Sequence, residues 1–329
     1  MRSRIAGVLA CLGVATIAGV VALAGAKPAR ASEFFADRSP SHVSLRVNAK
    51  GEALVTYKTE TGQWRHVLVW GAINALGPSR DTPQVKMKFD YAGGWRKYRS
   101  RSVSFRLNYW KTFKSSSCRP YDGPTLVYFV AACKAPDGSY WALQSWKRLE
   151  PLLGFEPWLK KQREYELHIS HWTGPLPVLE FYSHWTYRGS AVGVFARFTY
   201  LGQPVFGFNS TKTGEPLDNY GRNIYIDTYD SIYGPGWKRE SGILTHLRTG
   251  TVCHSFVPQT IFPGYPGAGK TRPAAPGSKY RATVMGPGEL PIVQAYAPGL
   301  GAYDPVANAG YTAIWDRVMA GDTICAPER

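Results

Sequence analysis

From His42 to Val257 the chain is cut into short runs rich in Val, Ile, Thr, Tyr, Phe and Trp, and almost every run ends at a turn containing Gly, Pro or Asp. A side-chain period of two over so much sequence excludes a helical bundle and points to antiparallel β-structure. Val85 to Tyr91 shows it plainly: Val85, Met87, Phe89 and Tyr91 fall on one face, Lys86, Lys88 and Asp90 on the other. His42–Asn48 and Glu52–Lys58 flank Ala49-Lys50-Gly51, and Trp64–Gly71 follows, which predicts a three-strand meander. Further strands are expected at Thr125–Ala132, Ser139–Trp146, Glu164–Trp172, Val178–Tyr187, Val192–Tyr200, Val205–Phe208, Asn223–Tyr229 and Thr251–Val257.

One helix is expected. Asp304-Pro305 reads as a cap followed by proline in the first turn, Ala307, Tyr311, Ile314 and Val318 make an apolar face, and Gly321 stops it. The predicted fold is all-β, with antiparallel sandwich-like sheets in two β-rich halves and a C-terminal helix at 305–320. The halves are residues 32–150 and 164–329, joined by a linker at 151–163 where Pro151, Gly154 and Pro157 break strands. Residues 258–291, dense in Pro and Gly, read as a loop.

Residues 1–31 read as a secretion signal. Arg2 and Arg4 precede an uncharged run from Ile5 to Ala26, and Ala29-x-Ala31 supplies small residues for cleavage before Ser32. The rival is an uncleaved anchor, since about 20 apolar residues span a bilayer. Cys11 sits too early in the run for a lipoprotein signal. The remaining cysteines, Cys118, Cys133, Cys253 and Cys325, allow three pairings. Cys118–Cys133 with Cys253–Cys325 keeps each bridge within one half. Free thiols or metal ligands are the alternative, and the lack of any CxxC speaks against zinc.

The basic charge is concentrated. Beyond residue 31 there are 35 Lys and Arg against 23 Asp and Glu, and residues 32–150 hold 19 of those cations with 9 acids. Lys86 to Arg119 has ten cations and a single acid, Asp90. Within it Trp95, Arg96, Lys97, Tyr98, Arg99 and Arg101 follow Gly93-Gly94, so cations and rings alternate at a turn. Cations along a groove neutralise a polyanion, while exposed rings stack on bases or sugar faces. The plainer alternative is a solvated sheet face whose rings are core.

Three other constellations are weaker. Gly264 to Thr271 (GYPGAGKT) fits a phosphate-loop template, but Pro263, Pro266, Pro273 and Pro276 deny it the strand before and the helix after. No ATP and no other cofactor is expected. His168, His171 and His184 suggest a metal, yet residues three apart on a strand face opposite ways, so no metal site is expected. Tyr225, Asp227 and Tyr229 share a strand face and read as a sugar patch, or with Asp218 or Asp230 as a hydrolase acid pair.

The leading expectation is an exported, non-enzymatic protein that binds an anionic polymer or cell-envelope surface through a basic aromatic β face at Trp95, Arg96, Lys97, Arg99 and Arg101. A carbohydrate-active hydrolase using carboxylates near 218–230 is second, and a purely structural envelope protein third. N-terminal sequencing of the exported protein is expected to begin at Ser32. A mature chain still starting at Met1 contradicts the cleavage reading.

Overall fold

The computed structural model describes residues 35–71, 73–74, 87–147, 164–184, 186–187, 190–191, 193–207, 209–210, 216–218, 220–231, 234–243, 248–256, 259–260, 271–272, 277–285 and 290–325. The expected signal (1–31), the expected linker (151–163) and most of the loop expected at 258–291 lie outside these residues.

Four antiparallel four-stranded sheets make up the body. The first is the expected meander, β1 (Ser41–Val47), β2 (Ala53–Lys58) and β3 (Trp64–Trp70), extended by β4 (Lys88–Asp90). The second runs in order through β5 (Arg119–Pro120), β6 (Phe129–Lys134), β7 (Tyr140–Lys147) and β8 (Tyr165–Trp172). In the third, β12 (Gly193–Tyr200) is flanked on one side by β9 (Val178–Ser183) and on the other by β18 (Thr251–Ser255) and β13 (Gln203–Pro204). The fourth has the order β17 (Gly234–Ile243), β16 (Asn223–Ser231), β21 (Lys279–Met285), β22 (Val293–Pro298). Among the described residues there are also three two-stranded ribbons: β10 (Thr186–Tyr187) with β11 (Ser190–Ala191), β14 (Asn209–Ser210) with β15 (Pro216–Leu217), and β19 (Gln259–Thr260) with β20 (Thr271–Arg272).

Alternation along the second sheet explains how the layers join. Trp141, Leu143, Leu167 and Ile169 point into a core shared with Val47, Val55, Tyr57, Val67 and Val69 of the first sheet. Their neighbours Ala142 and Trp172 belong to a second core with Phe181, Val194, Phe198, Ile224, Ile226, Tyr280 and Val284. A sheet covered on both faces reads as continuous burial rather than in–out alternation, and β8 is buried at every position after Tyr165. Strand β8 lies beyond the expected boundary at 151–163, yet it pairs with β7 from Tyr140↔Trp172 to Lys147↔Tyr165. The sheet therefore spans the two expected halves.

Both bridges, Cys118–Cys133 and Cys253–Cys325, are formed. The first joins the segment before β5 to β6. The second ties the C-terminal segment to β18. Disulfides persist in oxidising compartments, which is the setting these two indicate. No helix among the described residues is long and apolar enough to cross a membrane.

Several elements depart from expectation. The C-terminal helix, α2, spans Ala309–Val318 rather than 305–320, because the Asp304 carboxylate holds Val306 N (2.8 Å) and Ala307 N (2.9 Å) in a turn ahead of it. Gly321, at φ +81°, follows its end in the left-handed conformation that glycine adopts freely. Tyr311, Ile314, Trp315 and Val318 of α2 pack on Tyr182 and Phe195 of the third sheet. Residues 279–285, expected in a loop, form β21 at the centre of the fourth sheet, with Tyr280, Ala282 and Val284 in the core. Strands β17 and β22 were not expected at all. Residues 205–207 are not strand, and the basic segment is not strand between Asp90 and the start of β5 at Arg119.

A chain ending at residue 150 lacks β8, which leaves β7 with an unpaired edge and Trp141 and Leu143 without their covering neighbours. Expressed alone, residues 32–150 are expected to show no cooperative thermal or denaturant transition. A sharp, reversible transition contradicts the shared sheet.

Candidate functional site

After β4 the chain leaves the first sheet and folds back over its outer face. Asp90, fully buried, organises the departure. Its Oδ1 accepts from Ala92 N (3.0 Å), and Oδ2 accepts from Arg96 N (2.6 Å) and Lys97 N (2.9 Å). Gly93 and Gly94 follow at φ +61° and +113°. A Cβ on Gly94 stands 2.8 Å from the Tyr109 ring, so any other residue there pushes the cap off the sheet. Ser102 then caps α1 (Val103–Asn108), its Oγ accepting from Phe105 N at 3.2 Å. A 3-10 turn continues over Tyr109–Lys114. Phe105, Tyr109 and Phe113 recur every four residues and cover Leu54 and Leu68 on the outer face of the sheet.

Beneath this cap lies Glu52, one residue before β2 and buried. Its Oε1 accepts from Lys97 Nζ and from Tyr98 Oη (2.6 Å), and its Oε2 accepts from Tyr109 Oη and from Asn48 Nδ2 (2.8 Å). Lys97 Nζ also sits 4.3 Å from the Trp70 ring centre. Burial pushes the Glu52 carboxyl up, but the hydrogen bonds from Lys97, Tyr109, Tyr98 and Asn48 outweigh it and hold the group at about 2. Lys97, expected to contact a polyanion, is thus turned inward as the counter-ion of a buried carboxylate.

Where the cap stops short of the edge of β3, a groove of about 350 Å³ remains, lined by Trp64, Arg65, His66, Tyr91, Trp95 and Trp110 together with Ala92 and Leu107. Trp64 is 55% exposed. His66 stacks face to face on Trp110, with centroids 3.9 Å apart and planes 9° apart. The imidazole is held by Thr56 Oγ1 at 3.0 Å from Nδ1, and its burial lowers its affinity for a proton. Arg106 lies 3.6 Å from the Trp95 ring centre and donates from Nε to Trp95 O (3.1 Å). Both indoles are therefore braced by a partner on one side. Arg65 is paired with Asp37 (3.3 Å).

In the same segment Arg96, Arg99, Arg101, Lys111 and Lys114 are exposed, and among the described residues none forms an ion pair with a carboxylate. The sequence-derived set thus divides. Trp95 lines the groove, Arg96 and Arg99 are exposed on its turn, Arg101 is exposed and lies 5.3 Å from the Phe105 ring centre, and Lys97 does not take part. The expected β face is in fact a helical cap and a turn. Trp64, His66 and Trp110, absent from the expected set, complete the groove.

No protein-family model, no curated protein and no solved structure matches the chain.

The second expected patch is reorganised. Asp227 is fully buried between two arginines, Arg239 Nε on Oδ1, and Arg281 Nε (2.9 Å) and Nη2 (2.5 Å) on Oδ2. Asp218 accepts from Tyr220 N (2.7 Å) and Arg222 N (3.0 Å), with burial raising its affinity for a proton. Asp230 holds Gly236 N (2.7 Å). These carboxylates make separate contacts, and both oxygens of Asp227 are held by arginines. Ser139 lies 2.8 Å from His171 Nε2, but its hydroxyl donates to Asp137 Oδ1 (2.6 Å), so the imidazole donates rather than acting as a base. His168 and His171 alternate along β8, and His171 stacks on Trp141 at 3.8 Å.

Glu52 also sets a pH dependence. Its carboxyl is held at about 2 in the folded state against 4.5 ordinarily, so its contribution is complete above pH 4.5 and lost as pH falls towards 2. In that window one proton separates folded from unfolded chain, a slope of up to about 1.4 kcal/mol per pH unit. Denaturant midpoints of Glu52→Gln are expected to be lower at pH 7 and flatter between pH 4.5 and 2.5. An acid dependence identical to the parent contradicts this role.

Proposed function

We propose that the protein is exported and binds an anionic polymer, its rings or bases stacking in the Trp64–Trp95–Trp110 groove and its acidic groups meeting Arg96, Arg99 and Arg101. The observation that carries this reading is the division of the basic segment. The cap uses Lys97 to satisfy Glu52 and Arg106 to brace Trp95, while Arg96, Arg99 and Arg101 are exposed and form no ion pair among the described residues, Arg101 lying 5.3 Å from the Phe105 ring centre. Three further cations grouped on one turn raise mutual repulsion and are favoured by a polyanion, whose counterions they displace. Braced indoles facing an open groove lose little side-chain freedom when a flat ligand lands on them. An acidic polysaccharide of the extracytoplasmic space fits this best, and nucleic acid is the alternative chemistry.

The test is equilibrium binding to heparin and to single-stranded DNA over a salt series. Arg96→Gln, Arg99→Gln and Arg101→Gln combined are expected to weaken binding and to reduce the logarithmic salt slope by about 2 on single-stranded DNA. Trp110→Ala is expected to cost about 1–3 kcal/mol with the slope nearly kept, because stacking is not a charge term. Lys97→Gln is expected to lower folding stability and leave the slope alone. A folded triple variant with parental affinity and slope ends the proposal.

A further inference from the structure

A second group of rings and cations occupies the fourth sheet. On the face that carries Asp227, cross-strand register sets Trp237 opposite Tyr229 opposite Lys279, and Arg239 opposite Asp227 opposite Arg281 opposite Tyr296. The next row is Tyr225, Thr283 and Gln294. The reverse face of these strands, with Ile224, Ile226, Tyr280 and Ala282, is the second core. One end of the Asp227 face is closed where Tyr225 packs with Trp146, Met285 and Ile292. The other end reaches solvent: Tyr296 is 57% exposed, Lys279 is exposed, and Trp237 and Tyr229 are half-buried.

At this open end the rings touch one another. Trp237 lies 5.0 Å from Tyr229 and 5.9 Å from Tyr296 by ring centroids. The Arg281 guanidinium stacks 4.4 Å from the Trp237 ring centre, and Lys279 Nζ lies 4.2 Å from that of Tyr229. Beside them Gln294 Nε2 bonds Tyr128 Oη (2.6 Å) and Thr283 Oγ1 (2.9 Å), and the Tyr296 hydroxyl donates to Gln294 Oε1. Among the described residues of this face, Arg239, Arg281 and Lys279 accompany the single carboxylate of Asp227. Satisfying Asp227 requires the two arginines, but it requires neither Lys279 nor three contiguous rings at the water boundary. A solvated sheet face is ordinarily polar.

We propose that this face is a second ligand site, for acidic pyranosides: sugars carrying a carboxylate or sulfate. The apolar face of a sugar ring stacks on Trp237 and Tyr296, its acid group meets Lys279 and Arg281, and its hydroxyls reach the Tyr296 hydroxyl and the Gln294 amide. The site stands on its own geometry and rests on the polymer-binding reading only for its ligand class. With a groove on the first sheet and a platform on the fourth, one chain holds a polymer at two points, so polymer affinity exceeds that for an oligosaccharide reaching a single site.

The experiment is an NMR titration of the ¹⁵N-labelled protein with tetragalacturonate at low salt. It follows the indole N–H resonances of Trp237 and Trp110, each assigned from its Trp→Phe variant. Both resonances are expected to shift and saturate. Tyr296→Ala with Lys279→Gln is expected to weaken the Trp237 curve by about tenfold, the loss of roughly one stacking contact, while the Trp110 curve is unchanged. These two side chains are outside the core, so the variant is expected to fold, as its dispersed spectrum will show. Trp237 unmoved while Trp110 shifts overturns the second site and leaves the groove. Trp110 unmoved while Trp237 shifts supports the second site and overturns the groove for this ligand class. Neither resonance moving overturns the second site.

Discussion

A buried carboxylate must be met by donors, and for Glu52 most of those donors come from a segment 45 or more residues away. Lys97, Tyr98 and Tyr109 all reach it from the cap, while Asn48 alone is local. Stripped of the cap, the first sheet exposes Leu54 and Leu68 on its outer face and leaves Glu52 with Asn48 as its one remaining donor of the four. Stripped of Glu52, the cap carries a half-buried ammonium without its counter-ion and a Tyr109 hydroxyl without its carboxylate, while Tyr98 keeps Tyr109 Oη at 2.9 Å. Sheet and cap therefore form together, and the groove exists because the cap, pinned at Glu52 and at Asp90, ends short of Trp64.

That same pinning sorts the charge. Within the basic segment Lys97 points inward to Glu52 and Arg106 lies on Trp95, whereas Arg96, Arg99 and Arg101 are exposed to water. A comparable sorting occurs on the fourth sheet, where Arg239 and Arg281 answer Asp227 and Lys279 remains at the surface. Between these two regions runs the second sheet, covered on both faces, with Trp141 stacked on His171 on one side and Trp172 set into the second core on the other. It shares one core with the first sheet and another with the third and fourth.

Much of the architecture was legible from pattern alone. Residues 42–71 give the meander because each run is bounded by an evident turn, and the two bridges follow from four cysteines split between two stretches. What was hidden has physical reasons. Strand β17 begins Gly-Pro-Gly, and β21 follows a Pro-rich stretch, so turn chemistry masked the alternation of Tyr280, Ala282 and Val284. The boundary read at 151–163 rested on helix and strand breakers, which report local conformation but not which strands pair across them. In the basic segment the four-residue repeat of Phe105, Tyr109 and Phe113, with Ser102 as cap, was the available helical signal. Lys97 could not be told from Arg96 by sequence, since only the position of Glu52 in space separates a counter-ion from a free cation. Trp64, His66 and Trp110 come from two distant segments, so no local motif joins them.

The most direct test of the account is a crystal structure of the protein with a defined acidic oligosaccharide. The account predicts a sugar ring against Trp95 or Trp110, with an acidic group within ion-pair distance of Arg96, Arg99 or Arg101 and Lys97 still bound to Glu52. A ligand that leaves the groove and these three arginines untouched, or a complex in which Lys97 abandons Glu52 to meet the ligand, contradicts it.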